Sequence, residues 1–203
     1  MGNPSLNYIE QYFNDAKAIL ESIDQNSVNK MIELLVEVRE SGGRLFFLGV
    51  GGSAANCSHA VNDFRKLMDI ETYTPADNVA ELTARTNDEG WDTVFIEWLR
   101  GSRLNEKDCV FVLSVGGGSK EKNVSANLVY ALEYAKQVNA KIVGIVGRDG
   151  GYTATVANVY VLIPPVNPAT ITPQSEAFQS VVWHLISADP RMMRVKNKWE
   201  SIS

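Results

Sequence analysis

The chain has only two histidines, and each stands at helical spacing from a carboxylate. His59 comes four residues before Asp63, so a helix would put both side chains on one face. His184 follows Glu176 by two helical turns in a stretch of helical periodicity. An imidazole beside a carboxylate can move protons, and the same groups make a His/carboxylate metal site. Each pair also has a plain alternative. His59 and Asp63 could form a surface hydrogen bond, and His184, between Trp183 and Leu185, could be a satisfied core histidine. Placement favours chemistry, because His59 lies just after a glycine turn and His184 lies on the helix after the last strand.

That glycine turn is the first of two. Leu45 to Val50 is a continuous apolar run, read as a strand buried on both faces, and Gly51, Gly52 and Ser53 follow it. Ala54, Ala55, His59, Ala60 and Phe64 then recur at helical steps, with Ser53 placed as the N-cap. A strand entering a capped helix through glycines offers free amides and a helix dipole to an anion, which makes a phosphate cradle. No Gly-Lys-Ser/Thr follows, so this is not a Walker loop, and the dinucleotide fingerprint is incomplete. The second turn, Ser114-Val-Gly-Gly-Gly-Ser119, ends the buried run Cys109 to Leu113. If those two strands are spatial neighbours, the two turns lie side by side around one small phosphorylated metabolite. Ser53, Ser114, Ser119 and Ser125 would then supply hydroxyls, and the turn amides, Gly116 included, the rest.

The elements that must position these groups alternate. Residues 6–23 and Ser27 to Glu40 read as two amphipathic helices, either an oligomer interface or a cover for the chain's own sheet. Glu71 to Pro75 reads as a short second strand near an edge, because of its proline. Asp77 to Arg85 reads as a loop with one helical turn, and Asn87 to Gly90 as a turn before a helix through Trp91 and Leu99. A helix over Val124 to Val138, a strand over Lys141 to Val146, a short helix near Thr153 and a strand over Val159 to Ile163 follow. Pro173 opens the last helix, which carries His184. Strands alternating with helices require right-handed crossovers and a parallel sheet covered on both faces. The expected fold is α/β, a three-layer αβα sandwich on a five-stranded parallel sheet, flavodoxin-like. One domain is expected over 1–203: helix pair 1–43, core 44–188 and polar tail 189–203.

At 203 residues and a net charge of -5, the chain fits one well-filled domain and offers no basic face for nucleic acid. Cys57 and Cys109 are its only cysteines, so no zinc-type cysteine spacing exists and no disulfide is expected. The opening Met-Gly-Asn-Pro-Ser-Leu6 has neither the pattern of a signal peptide nor that of a myristoylation site. No apolar run reaches membrane length, and the cytoplasm is the expected location.

The order and spacing of these pieces resemble the SIS (sugar isomerase) phosphosugar-binding family. Within it they resemble the sedoheptulose-7-phosphate isomerases, or phosphoheptose isomerases. The pieces are the helix pair, Gly-Gly-Ser53 with His59 six residues on, Asn87-Asp88, the serine turn from Ser114 and the last helix with His184. The resemblance implies a homotetramer with sites shared between subunits, zinc in many members, and a step in heptose synthesis for lipopolysaccharide or capsule. Carried over by position, Gly51, Gly52, Ser53, Asn87, Asp88, Ser114, and Ser119 or Ser125 would bind substrate. Asp63 and His184 would be catalytic, and His59, Asp63, Glu176 and His184 would hold the metal. Glu176 falls where the family has a glutamine ligand, and four departures stand out: Val50 where asparagine is usual, Asp63 for glutamate, a serine turn poor in hydroxyls, and the inserted Lys120-Glu-Lys122, which leaves open whether Ser119 or Ser125 caps the next helix. The reaction implied is isomerisation of sedoheptulose 7-phosphate to a heptose 7-phosphate through a cis-enediol. The alternative is a non-catalytic phosphosugar-binding regulator or partner-binding protein.

Overall fold

The computed structural model describes residues 4–198, 201 and 202. Met1 to Asn3, read above for a leader, lie outside that range, as does the side chain of Leu6. The chain begins with helices α1 (Pro4–Ser22) and α2 (Gln25–Glu40). Asp24 caps α2, its carboxylate accepting from the Asn26 and Ser27 amides at 3.0 and 3.3 Å. Then come β1 (Leu45–Leu48), α3 (Gly52–Met68) and the two-residue strand β2 (Thr72–Tyr73). A 3-10 turn over Pro75–Asp77 leads to α4 (Val79–Asp88) and α5 (Val94–Gly101). The remainder alternates: β3 (Cys109–Ser114), α6 (Ala126–Gln137), β4 (Lys141–Val146), α7 (Gly151–Val156), β5 (Val159–Leu162) and α8 (Ile171–Ala188).

All five strands are parallel, in the order β2-β1-β3-β4-β5. Successive strand residues face opposite sides, and both sides are apolar, as a covered parallel sheet requires. Phe47 and Phe111 join Phe64 of α3, Leu35 of α2 and Trp183 of α8 on one side. Phe46, Val110 and Val112 join Phe95 and Trp98 of α5 and Leu128 and Leu132 of α6 on the other. Phe47 stacks on Phe111 at 4.4 Å, locking the two central strands through their side chains.

The paired starts of β1 and β3 are fixed by an ion pair. Asp108 is 1% exposed, and its Oδ2 lies 2.7 Å from Arg44 Nη2. Its carboxylate also accepts from the Arg44 amide at 3.1 Å and the Asn105 amide at 3.0 Å. The Asp108 hydrogen bond holds the Arg44 guanidinium above its ordinary pKa. The next residues, Leu45 and Cys109, are register partners. The pair thus aligns two strands whose far ends carry the two glycine turns.

Three expectations change. Asp77 to Arg85 is not mainly loop, since α4 covers most of it. No α4 residue is fully buried, and Leu82 packs only partly against the core; Arg85 bridges Glu81 and Glu89 at 2.9 and 3.3 Å on the helix surface. The helix pair divides its roles, with α2 packed on the chain's own sheet through Met31, Ile32, Leu35 and Val38, and α1 leaving Tyr8, Ile9, Phe13 and Leu20 exposed. The polar tail is docked rather than wholly solvated: Met192 is fully buried, and Arg39 Nη1 donates to its carbonyl at 2.7 Å. Among the described residues no helix is long and apolar enough to cross a membrane.

Asp108→Ala would strand Arg44 without its partner at the start of the sheet. Urea unfolding should show a loss of roughly 3 kcal/mol, the cost of breaking a largely buried pair. A loss below about 1 kcal/mol, the level of a surface pair, would remove it as the strand anchor.

Candidate active site

β1 and β3 are neighbours, so the turns after them do meet. In the first turn, Gly51 takes φ 64° and occupies the N-cap position of α3. Its carbonyl accepts from the amides of Ala54 and Ala55 at 3.0 and 3.2 Å. Ser53 is therefore not the cap. It lies inside the first turn, 1% exposed, with an Oγ that has no hydrogen-bond partner. A buried hydroxyl without a protein partner is costly, so Ser53 is a candidate to bond a group placed in the cavity that it lines. A Cβ on Gly52 would come within 2.5 Å of the Glu176 carboxylate, so Glu176 lies directly over this turn.

In the second turn, Ser114 Oγ accepts from the Gly117 amide at 2.9 Å. Gly117 has φ 68°, and a Cβ there would come within 1.9 Å of the Gly150 carbonyl. Only glycine fits, because this turn is pressed against a third one, after β4. Gly117 and Gly118 carbonyls accept from the Thr153 and Tyr152 amides at 2.9 and 2.8 Å, which caps nothing on α6 but ties down the start of α7. The Lys120-Glu-Lys122 insertion is a small hairpin closed by Ser119 and Val124. Neither serine caps α6 through its side chain: Ser119 Oγ accepts from Lys122 N, and Ser125 sits at the N-cap in left-handed geometry with no such bond.

The three turns enclose a cavity of about 750 Å³. Its walls include Val50, Ser53, Ser114, Gly116, Ser119 and Ser125, with Arg148, Asp149, Tyr152 and Thr155 from the third turn and α7. Arg148 was not singled out from the sequence. Its only signal was its place in Gly147-Arg-Asp-Gly-Gly151, a third glycine turn at a strand end. Lys120 is engaged by Glu133 at 2.6 Å, and that bond raises its pKa. Asn87 and Asp88 are not brought to this cavity. They end α4, exposed, with Asn87 donating to Asp88 at 2.8 Å.

The histidine pair forms a second cluster, between α3 and α8. Asn56 ties these helices together, donating to the Glu176 carbonyl at 2.9 Å and to Gln179 Oε1 at 3.1 Å, and accepting from Ser180 Oγ at 2.7 Å. Further along, His59 Nε2 and His184 Nε2 stand 3.8 and 3.9 Å from the same oxygen, Asp63 Oδ2. One ligand atom from each of the three lies within 4.8 Å of the others. His184 is exposed rather than a core histidine. Trp183 takes the core position, fully buried, and His184 Nδ1 lies 2.8 Å from the Ser180 carbonyl. A carbonyl only accepts, so Nδ1 carries the proton and Nε2 is the working atom. Glu176 is not in this trio, since its carboxyl stays by Gly52. None of the trio lines the cavity. Ser53 joins the two regions, about 9 Å along α3 from His59.

Two imidazole nitrogens and a carboxylate oxygen, with one histidine tautomer fixed by a carbonyl, are a donor set that could hold a divalent metal ion. His59→Ala and His184→Ala should each weaken zinc binding by more than about tenfold, the lower bound set by losing outer-shell support alone. Calorimetric titration checks this, and unchanged affinity in either variant would remove that histidine as a ligand.

The family model described as "SIS domain" matches residues 11–147. The lincomycin biosynthesis protein LmbN of Streptomyces lincolnensis is 29% identical over 88% of this chain, which spans 66% of that protein. The probable phosphoheptose isomerase of Thermoplasma volcanium is 33% identical over 76% of this chain and 78% of its own length. The structure of phosphoheptose isomerase GmhA from Neisseria gonorrhoeae superposes with a TM-score of 0.77 at 22% identity, covering 90% of this chain and 97% of that one. At that identity the superposition speaks for the fold. With the family model covering most of the chain, this protein belongs to the SIS-domain family.

Proposed function

We propose that the chain is a phosphosugar aldose–ketose isomerase that interconverts sedoheptulose 7-phosphate and a heptose 7-phosphate. The observation that carries this reading is the convergence of His59, Asp63 and His184 on one point, a short helical distance from a cavity built of three glycine turns. Similarity to proteins named phosphoheptose isomerase supports the same reaction class.

The phosphoryl end would sit against the amides of Gly51, Gly52 and Gly116 and the hydroxyls of Ser53, Ser114, Ser119 and Ser125. Binding there orients the reacting end without taking part in the chemistry. Asp63 Oδ2 would take the proton from the carbon beside the carbonyl and return it to the neighbouring carbon of the cis-enediol. His184 Nε2 would give and take the proton at the substrate oxygens. Zinc, one per site, would fit His59, Asp63 and His184, with Glu176 placed to reach it only by moving. When bound it would supply polarisation of the carbonyl. Asn87 and Asp88 would act from a neighbouring subunit, because in their own chain they lie off the cavity. The chain would act in the cytoplasm as a homotetramer, a reading supported by the exposed apolar side chains of α1 and by Val181 and Leu185 of α8, which would form its interface.

A second reading has one observation in its favour: the trio does not line the cavity of its own chain. A chain that only senses a phosphosugar would keep the cavity and leave the trio idle.

Asp63→Asn decides between them. With sedoheptulose 7-phosphate, turnover should fall by about 10² to 10⁴ while KM changes little, as expected for a lost acid/base group. A wild-type protein that binds the sugar but never isomerises it, with or without zinc, would leave only the binding reading.

A further inference from the structure

Trp183 stands out among the groups the reaction does not use. It is 0% exposed, yet its indole Nε1 has no hydrogen-bond partner. Its ring stacks on His184 with centroids 3.5 Å apart and planes 29° apart. The same ring meets His59 edge-on, at 4.8 Å and 75°. The two imidazoles in turn stand 5.1 Å apart at 78°. One buried indole therefore touches both exposed imidazoles, stacked face to face with His184 and in a T-shaped contact with His59, the latter a geometry aromatic pairs prefer.

His59 and His184 side chains are 57% and 47% exposed, so solvent alone would leave each ring free to turn. Only His184 has a hydrogen bond that fixes its ring, from Nδ1 to the Ser180 carbonyl. His59 has no such bond among the described contacts; its ring rests in T-shaped contact with the indole, with Asp63 Oδ2 3.8 Å from Nε2. An aliphatic residue at 183 could fill the core but could not present a flat face and an edge at once.

We propose that Trp183 is a positioning residue that holds both imidazoles with their Nε2 atoms turned to Asp63, and so preorganises the trio for a divalent metal. The proposal rests in part on reading the trio as a metal site. It asks that removing the ring loosen the imidazoles even where the fold survives.

Two measurements test it, on Trp183→Phe, Trp183→Leu and, as a control, Phe95→Leu, which removes a buried ring on the opposite face of the sheet. Imidazole proton resonances of the metal-free protein should be sharp in the wild type, with those of His184, stacked on the indole face, shifted upfield by its ring current. They should broaden toward free-histidine positions in Trp183→Leu and hold sharp in Trp183→Phe. Cobalt titration, followed by visible absorption, should weaken about tenfold in Trp183→Leu, the scale of reordering a free side chain. Trp183→Phe should recover most of that loss, and Phe95→Leu should leave cobalt binding unchanged whatever it does to stability. Free-histidine resonances in the wild type would overturn the proposal, as would equal cobalt affinity in wild type and Trp183→Leu. Held imidazoles in a wild type that takes up no cobalt would sustain the positioning role and sink the metal reading alone.

Discussion

The parallel pairing of β1 with β3 is the constraint on which the rest depends. Leu45 lies opposite Cys109, with the buried Arg44–Asp108 pair just before them and the Phe47–Phe111 stack between them. Once that register is set, the two strands end together and their glycine turns have to meet. In the order β2-β1-β3-β4-β5, chain connections leave in opposite directions at this point, which is where open α/β sheets form their ligand crevice. The cavity is thus a consequence of topology, and the glycines are what let three turns close around it. At Gly117 the approach of Gly150 is so close that any side chain would push the second and third turns apart.

The reactive groups are placed by a different device. Helices α3 and α8 lie along one another, joined by Asn56, so residues of the two chains of side chains match turn by turn. Glu176 falls beside Gly52, and His184 beside His59 and Asp63. The turn at Gly52 and the His59–Asp63–His184 trio therefore occupy successive levels of one helix pair. The β1–α3 connection carries both, since Ser53 opens toward the cavity and His59 and Asp63 follow on the same helix.

Much of this was legible in the residues. Continuous apolar runs ending in glycine marked the strands, and helical spacing put His59 and Asp63 on one face. What escaped had physical causes. Ser53 looked like a cap because serine bonds free amides well, but glycine at 51 takes the left-handed conformation that the cap position needs here. Helix α4 reads as loop because its apolar face is slight, with Leu82 only partly packed on the core, and Arg85 with Glu81 and Glu89 supports it from the surface. His184 was weighed as a core residue because Trp183 and His184 are adjacent, and sequence alone does not say which of two neighbours turns inward. Arg148 was overlooked because its contact with the second turn depends on β3 and β4 being neighbours, a long-range fact.

The central claim is that one site grips the phosphoryl end while Asp63 moves a proton between adjacent carbons at the other. The most direct measurement is carbon-bound hydrogen exchange in sedoheptulose 7-phosphate incubated with the protein in D₂O, followed by proton NMR. The account predicts that the heptose forms and that proton signal is lost only at C1, the carbon beside the carbonyl that gives up its proton, to the extent that Asp63 exchanges with solvent. A sample that demonstrably binds the sugar phosphate, forms no heptose and retains every C1 proton would contradict it.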